Sequence, residues 1–162
     1  MNRTAIALLA VLVTSLGGAG TASAGALEDV MKMQKNGMWE MKPPGTKGKP
    51  LLFCVTDAIK IGGLKETQEA VKDLGCKTEK DTLKGDRYEI VLACSSADPN
   101  VGNFRMVMKG TARSDYQSGT TTVTGGGQMI RMLFPKGEEG GGENRWIRPC
   151  KAGEKPGLQE GK

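Results

Sequence analysis

Four cysteines, Cys54, Cys76, Cys94 and Cys150, constrain this chain more than any other feature. An even count in an exported protein reads as two disulfides, and four cysteines allow three connectivities. Local pattern favours one. Between Cys76 and Cys94 lies Asp81-Thr82-Leu83-Lys84-Gly85-Asp86-Arg87, with turn chemistry centred on Gly85. A hairpin folded about Gly85 sets Cys76 opposite Cys94, each nine residues from the centre, and cross-strand neighbours at a non-hydrogen-bonded site come close enough to bridge. By elimination Cys54 pairs with Cys150. Closing a loop of the hairpin's size is worth about 3 kcal/mol in the chain-entropy model. A Cys₄ zinc site or a redox-active pair would normally show a CxxC, and none is present.

Export is read from the first 24 residues. Arg3 supplies a positive start, Ala5 to Gly17 is apolar and uncharged, and Ala22-Ser23-Ala24 is a small-x-small site that predicts cleavage before Gly25. The apolar run is too short for a bilayer core, and Gly17, Gly18 and Gly20 interrupt it. No cysteine stands at the cleavage point to carry a lipid. The expectation is a soluble periplasmic protein with no transmembrane segment. Removing residues 1–24 takes away one Arg and no acid, leaving 22 basic against 18 acidic side chains. That balance is modest and aromatics are few, so nucleic acid is a poor partner.

The mature chain reads as mainly β, a β-rich α+β domain. Residues 25–36 are a short N-terminal segment, with an amphipathic helix over 26–34 carried by Leu27, Val30, Met31 and Gln34. Met38 to Lys42 and Leu51 to Val55 are the first strands, separated by Pro43-Pro44-Gly45. Thr56 and Asp57 are capping residues for a helix that is firmest over 64–74, with Gly62-Gly63 breaking anything earlier and Gly75 stopping it. From Cys76 the period becomes two. Tyr88, Ile90, Leu92 and Cys94 form one face, as do Phe104, Met106 and Met108, whereas Arg105, Val107 and Lys109 form the other. Thr120 to Thr124 follows. After Gly125-Gly126-Gly127 a further strand is expected, with Ile130, Met132 and Phe134 on one face, then a Gly- and Glu-rich loop and a terminal strand over 144–150 with Trp146 and Cys150 on one side. The predicted fold is a curved antiparallel meander sheet or half-barrel of about 7–8 strands with one helix and two disulfides. The single domain spans 37–150, and 151–162 is expected to be a disordered polar tail.

Several of these residues form a pattern. Gly37-Met38-Trp39-Glu40, then Cys54-Val55-Thr56, Cys76-Lys77, a strand ending in Cys94, Met-Lys-rich and Gly-Thr-rich hairpins and a closing Arg148-Pro149-Cys150 resemble the bacterial secreted family catalogued as domain of unknown function 3617. The resemblance covers residues 37 to 150. The chain departs from the family at Pro149, where members usually carry a Gly shortly before the final Cys, and in residues 26–36 and the 139–143 loop. The resemblance implies export and a compact small domain. It implies no activity, because none is established for the family.

The chain has no histidine, which removes Ser-His-Asp and Cys-His hydrolase arrangements, HExxH proteases and most catalytic zinc sites. Glu138, Glu139 and Glu143 in a Gly-rich loop read as solvated charge, and Gly125 to Gly127 leads into a strand, with no helix N-terminus to hold a phosphate. The expectation is a non-enzyme with no cofactor and no metal. Methionine is the unusual feature, with eight of nine left after cleavage. Met106 and Met108 share a strand face and thioethers suit Cu(I), but core packing is the better reading for a flexible side chain. An alternative function is carriage of an apolar small molecule, with Tyr88, Phe104, Met106, Met108, Ile130 and Met132 lining a pocket in a curled sheet. The first reading is a binding or structural role in the bacterial cell envelope, with Trp39 or Trp146 as an exposed anchor for another envelope protein. Trp146 is otherwise expected to pack near Cys150 and Cys54. Intact-mass measurement of unreduced protein from the periplasm should give a chain starting at Gly25 and lighter by the hydrogens lost in two disulfides; a retained residue 1–24 mass would exclude that processing.

Overall fold

The period-two stretch forms the four longest strands, and they follow one another as antiparallel neighbours. The structure, a computed structural model, describes residues 25–42, 50–135, 137–139 and 141–159. The expected signal segment and the Pro43-Pro44-Gly45 turn lie outside the described residues. The strands are β1 (Gly37–Lys42), β2 (Leu51–Val55), β3 (Cys76–Lys84), β4 (Arg87–Ser95), β5 (Asn103–Arg113), β6 (Tyr116–Gly125), β7 (Glu138–Glu139), β8 (Glu143–Arg148) and β9 (Gly157–Gln159). The helices are α1 (Ala26–Met33), α2 (Asp57–Asp73) and α3 (Gln128–Leu133). Among the described residues this is one antiparallel sheet with the order β3-β4-β5-β6-β8-β1-β2-β9, and β7 pairs with β6. No described helix is long and apolar enough to cross a membrane.

The sheet is open and not strongly curled, so the expected half-barrel does not form. It is also a meander only from β3 to β6: β8 returns beside β6 and receives β1 on its other edge. Helices, and not closure, cover the apolar face. The core joins Ala26 and Leu27 of α1, Val71 and Leu74 at the end of α2, and Ile130 of α3 to Ile90, Leu92, Met106, Met108 and Val123 of the sheet. The edge strands carry their own protection: β3 has a bulge between Thr78 and Lys80 amid charged residues, and β9 has three residues.

Gly85 adopts φ +63° in the tight turn between β3 and β4, and the register places Cys76 opposite Cys94. Disulfides join Cys76 to Cys94 and Cys54 to Cys150. Asp81 accepts the Ala26 N–H at 2.7 Å, which satisfies a free amide at the start of α1 and ties that helix to β3.

Four expectations are corrected. First, among the described residues three helices stand where the fold was expected to have one beside the short 26–34 segment, which forms α1 as read, and α2 runs unbroken through Gly62-Gly63. Thr56 Oγ1 accepts the Ile59 N–H, Lys60 pairs with Asp57 at 2.9 Å and donates to the Gln34 carbonyl at 3.1 Å, and Thr67 Oγ1 bonds the Gly63 carbonyl at 2.8 Å. These anchors offset a penalty of about 1 kcal/mol per glycine. Second, Gln128–Leu133 is a helix instead of a strand. Gly125 and Gly126 take φ +83° and +88°, turning the chain off the sheet, and a Cβ on Gly127 would lie 2.3 Å from the Pro99 carbonyl. Gln-Met-Ile-Arg-Met-Leu consists mostly of good helix formers, and the helical period buries Ile130 while turning Met132 outward. Third, a helix N-terminus therefore does follow the glycines, but its Met129 N–H is taken by the Asn100 carbonyl at 2.9 Å. Fourth, part of the expected disordered tail is ordered as β9 on β2. Arg148 makes two bonds to the Glu154 carboxylate, at 2.9 and 2.6 Å, and the Lys151 N–H adds a third at 2.6 Å. Arg148 above all, and the Lys151 amide after it, hold the Glu154 carboxyl down at about 2.

The α1–β1 connection is fixed by two indoles. Trp39 Nε1 donates to the Lys35 carbonyl at 2.9 Å and Trp146 Nε1 to the Asn36 carbonyl at 3.1 Å. Lys35 Nζ also lies over the Trp146 ring, 3.8 Å from its centre. Gly37 passes beneath Trp146 with φ +141°, and a Cβ there would lie 2.3 Å from Nε1 and 2.6 Å from the Arg148 carbonyl. Gly37→Ala should cost roughly 2 kcal/mol or more in urea unfolding. Gly85→Ala, which meets nothing within 4 Å, should cost only about 1 kcal/mol. Equal costs at the two positions would remove the steric role of Gly37.

Candidate functional site

Alternation along β3–β6 sends one set of side chains into the core and the other onto a face that no helix covers. The register sets this second set in straight rows. Lys77, Ala93, Arg105 and Thr124 are successive partners across the four strands. Lys80, Val91, Val107 and Thr122 form the next row, then Thr82, Glu89, Lys109 and Thr120, then Lys84, Arg87, Thr111 and Ser118. Ser95 and Asn103 extend the grid beyond Ala93 and Arg105, with Ser95 Oγ donating to Asn103 Oδ1 at 3.0 Å.

The electrostatics are one-sided. With Arg113 at the far end of β5, seven bases stand on this face against two acids, Glu79 and Glu89. Arg105 Nε binds Glu79 at 2.8 Å, and Glu89 is shared by Lys80 and Lys109, the latter at 3.2 Å. Lys80 foremost, then Lys109, holds the Glu89 carboxyl below its ordinary range. Among the described residues Lys77 and Lys84 make no ion pair. Val91 is only 3% exposed, flanked across the strands by Lys80 and Val107, so no large apolar side chain rises from the centre of the face. At its end lies an open depression of about 570 Å³, lined by Lys77, Ala93, Ser95, Asn103, Arg105 and Thr124 and bounded by Gly75 and Gly125. Small Ala93 between Lys77 and Arg105 leaves this space. Lys77, Arg105, the Thr124 hydroxyl and the Asn103 amide N–H groups there can receive an oxyanion, while the Ser95 proton is held by Asn103 Oδ1.

The residues proposed from the sequence to face a ligand lie elsewhere. Phe104, Met106, Met108 and Ile130 are 5%, 4%, 7% and 5% exposed within the core, and Tyr88 packs against them. Tyr88 crosses Gly110 and Gly119, where a Cβ would lie 2.7 and 2.1 Å from its hydroxyl, and burial raises its phenol above the usual value. Met132 is 74% exposed on α3, so it joins none of them. Trp39 is 2% exposed and offers no anchor, and half-buried Trp146 is seated on Lys35 to Gly37. Among the described residues no group of three or more His, Cys, Asp or Glu could hold a metal ion. The cationic grid was not singled out from the sequence, although the spacing of Arg105, Lys109 and Arg113, combined with the Gly85-centred register, is the signal that carries it.

A model of the family of proteins of unknown function DUF3617 matches residues 22–150. The chain belongs to the DUF3617 family. No curated protein and no solved structure matches it. The Gly37-Met38-Trp39-Glu40 and Arg148-Pro149-Cys150 segments that resemble DUF3617 meet at the β1–β8 seam, where Met38 pairs with Arg148 and Trp39 with Trp146. They read as architecture, away from the cationic rows.

Glu89 titrates as a reporter of the site. Its folded value is depressed, so its contribution to stability is complete above the unfolded carboxyl's range and is lost as pH falls through the depressed value. Carboxyl-detected NMR should place its midpoint below that of a free Glu, and Lys80→Ala should raise it more than Lys109→Ala. An unshifted midpoint would dissolve the shared ion pair.

Proposed function

We propose that this protein is an exported, non-enzymatic binding module of the bacterial cell envelope that engages its partner through the uncovered face of β3–β6. The carrying observation is the contrast between the two faces of the four longest strands. One is filled with apolar side chains beneath helices; the other is hydroxyl-rich, cationic and uncovered. A surface of that kind on a rigid sheet suits recognition more than stability.

Two disulfides fit an oxidising compartment. Together with the small-x-small site before Gly25 they support export to the periplasm with removal of residues 1–24. The absence of histidine, and the solvation of the acids on the cationic face, favour binding over catalysis. Carriage of an apolar molecule has less support, because the side chains that would line its pocket are packed on one another, and Met106 and Met108 lie too deep to favour a copper site.

The test is site-specific photocrosslinking in intact envelopes. A photoreactive residue at exposed Thr120, in the cationic grid, should yield protein or lipid adducts by mass spectrometry. The same residue at Lys65, exposed on α2, should yield few. Adducts from Lys65 and none from Thr120 would overturn the assignment of the face.

A further inference from the structure

The two layers of the molecule carry opposite charge. The uncovered face of β3–β6 presents seven bases and two acids. Behind it, α1, α2 and α3 carry six acids, Glu28, Asp29, Asp57, Glu66, Glu69 and Asp73, against four lysines and Arg131. A helix is about 10 Å across, and the Debye length at 0.1 M salt is about 10 Å. The acids on the outer helix surface are therefore largely screened from anything in contact with the sheet. Such a molecule is oriented by an anionic surface, sheet face first.

We infer that the uncovered face of β3–β6 docks flat against an anionic phospholipid bilayer, with the helix layer turned away. This rests on the reading that the uncovered face is the binding face. Three features select a lipid headgroup surface over other anions. The bases are spread over three adjacent strands, β3 to β5, about 4.8 Å apart and along a strand length on the order of 20 Å, which matches a surface and not a single linear chain. The centre of the face raises no aromatic or large aliphatic anchor: Val91 is buried, Val107 is half-buried, and the one aromatic, half-buried Tyr116 at the far end, lies under Arg113 and Arg145, whereas protein partners are held mainly by exposed anchors. The depression at Lys77 and Arg105, rimmed by Ser95, Asn103 and Thr124, accepts one phosphate oxyanion beside its ester and hydroxyl neighbours. With no wedge to insert, binding is electrostatic and reversible.

Vesicle co-sedimentation with the full mature chain tests this. Vesicles of mixed phosphatidylglycerol and phosphatidylcholine should bind the protein at about 0.02 M salt, and raising salt to about 0.3 M should reduce binding about tenfold or more. Pure phosphatidylcholine should bind little. Lys77→Glu with Lys84→Glu alters two exposed bases that make no ion pair, so the fold is spared, and should lower binding to the anionic vesicles about tenfold. Lys65→Glu with Lys72→Glu on α2 changes net charge equally and, with both double variants compared at about 0.1 M salt where the Debye length is about 10 Å, should change binding less than about twofold. Equal losses in the two double variants, or no binding to anionic vesicles at low salt, would overturn the inference. If vesicles do not bind while Thr120 still crosslinks to an envelope protein, the binding face stands and its lipid partner falls. If Thr120 also gives no adduct, both fall.

Discussion

Strand β8 is where the two halves of the sheet meet. The meander β3–β6 stands on one side of it and the hairpin β1–β2, with β9, on the other. Six residues, Glu143–Arg148, thus pair with segments about a hundred positions earlier and with the nearer β6. The Cys54–Cys150 disulfide, with a sequence separation of 96, locks the same seam, and a loop near that length corresponds to about 4–5 kcal/mol in the chain-entropy model. Two polar side chains are buried at the β6–β8 join: Gln117 of β6 and Asn144 of β8 are register partners on the covered face, and both are almost fully buried. Loop-closure entropy makes the local hairpins of the meander the cheaper pairs to form, so the β1–β8 seam is the expensive step that the disulfide secures.

Register carries this constraint through to the surface. The Gly85 turn pairs Lys84 with Arg87, the bulge between Thr78 and Lys80 shifts the register by one so that Cys76 meets Cys94, and across β4–β6 the rows follow by steps of two. A slip by one residue would bring Arg105 and Lys109 into the core and put Met106 and Met108 in water. The bridging cysteines therefore do more than close a loop. They hold the alternation that separates an apolar layer from a cationic one, and the helices then select which layer stays exposed.

The legible parts of the fold were those set by local rules. Period-two alternation gave β4 and β5, the Gly85 turn gave the pairing of β4 with β3, and Thr56 and Gly75 marked the ends of α2. The illegible parts depend on contacts distant in sequence. Gly62-Gly63 looks like a break until Lys60 is seen tied to Gln34 and Asp57. Ile130, Met132 and Phe134 fit a strand as well as they fit part of a helix, and the decision falls to Gly125 and Gly126, whose positive φ removes the chain from the sheet. β9 contains one bulky apolar residue, Leu158, so nothing in its own sequence shows that Arg148 and Glu154 will steer it back to β2. The candidate site was half legible: the polar face of β5 was evident, but its alignment with Lys77, Lys80 and Lys84 needed the bulged register of β3.

The methionines show how the covered face came to be closed to function. The chain has three phenylalanines, two tyrosines and two tryptophans, so large rigid side chains are scarce. Met31, Met38, Met41, Met106 and Met108 are buried in their place. An unbranched thioether can follow the uneven gap between crossing helices and a sheet that does not curl around them. Filling that gap removes the cavity that a carrier would need and withdraws the sulfurs from soft metals. Tyr88 reinforces the closure by lying in the slot left by Gly110 and Gly119. On the proposed reading recognition falls to the opposite face, where Glu79 and Glu89 pin individual cations in place without neutralising the whole. The acids that give those cations fixed positions are too few to cancel their field, so the register that packs the methionines on one side leaves surplus positive charge on the other.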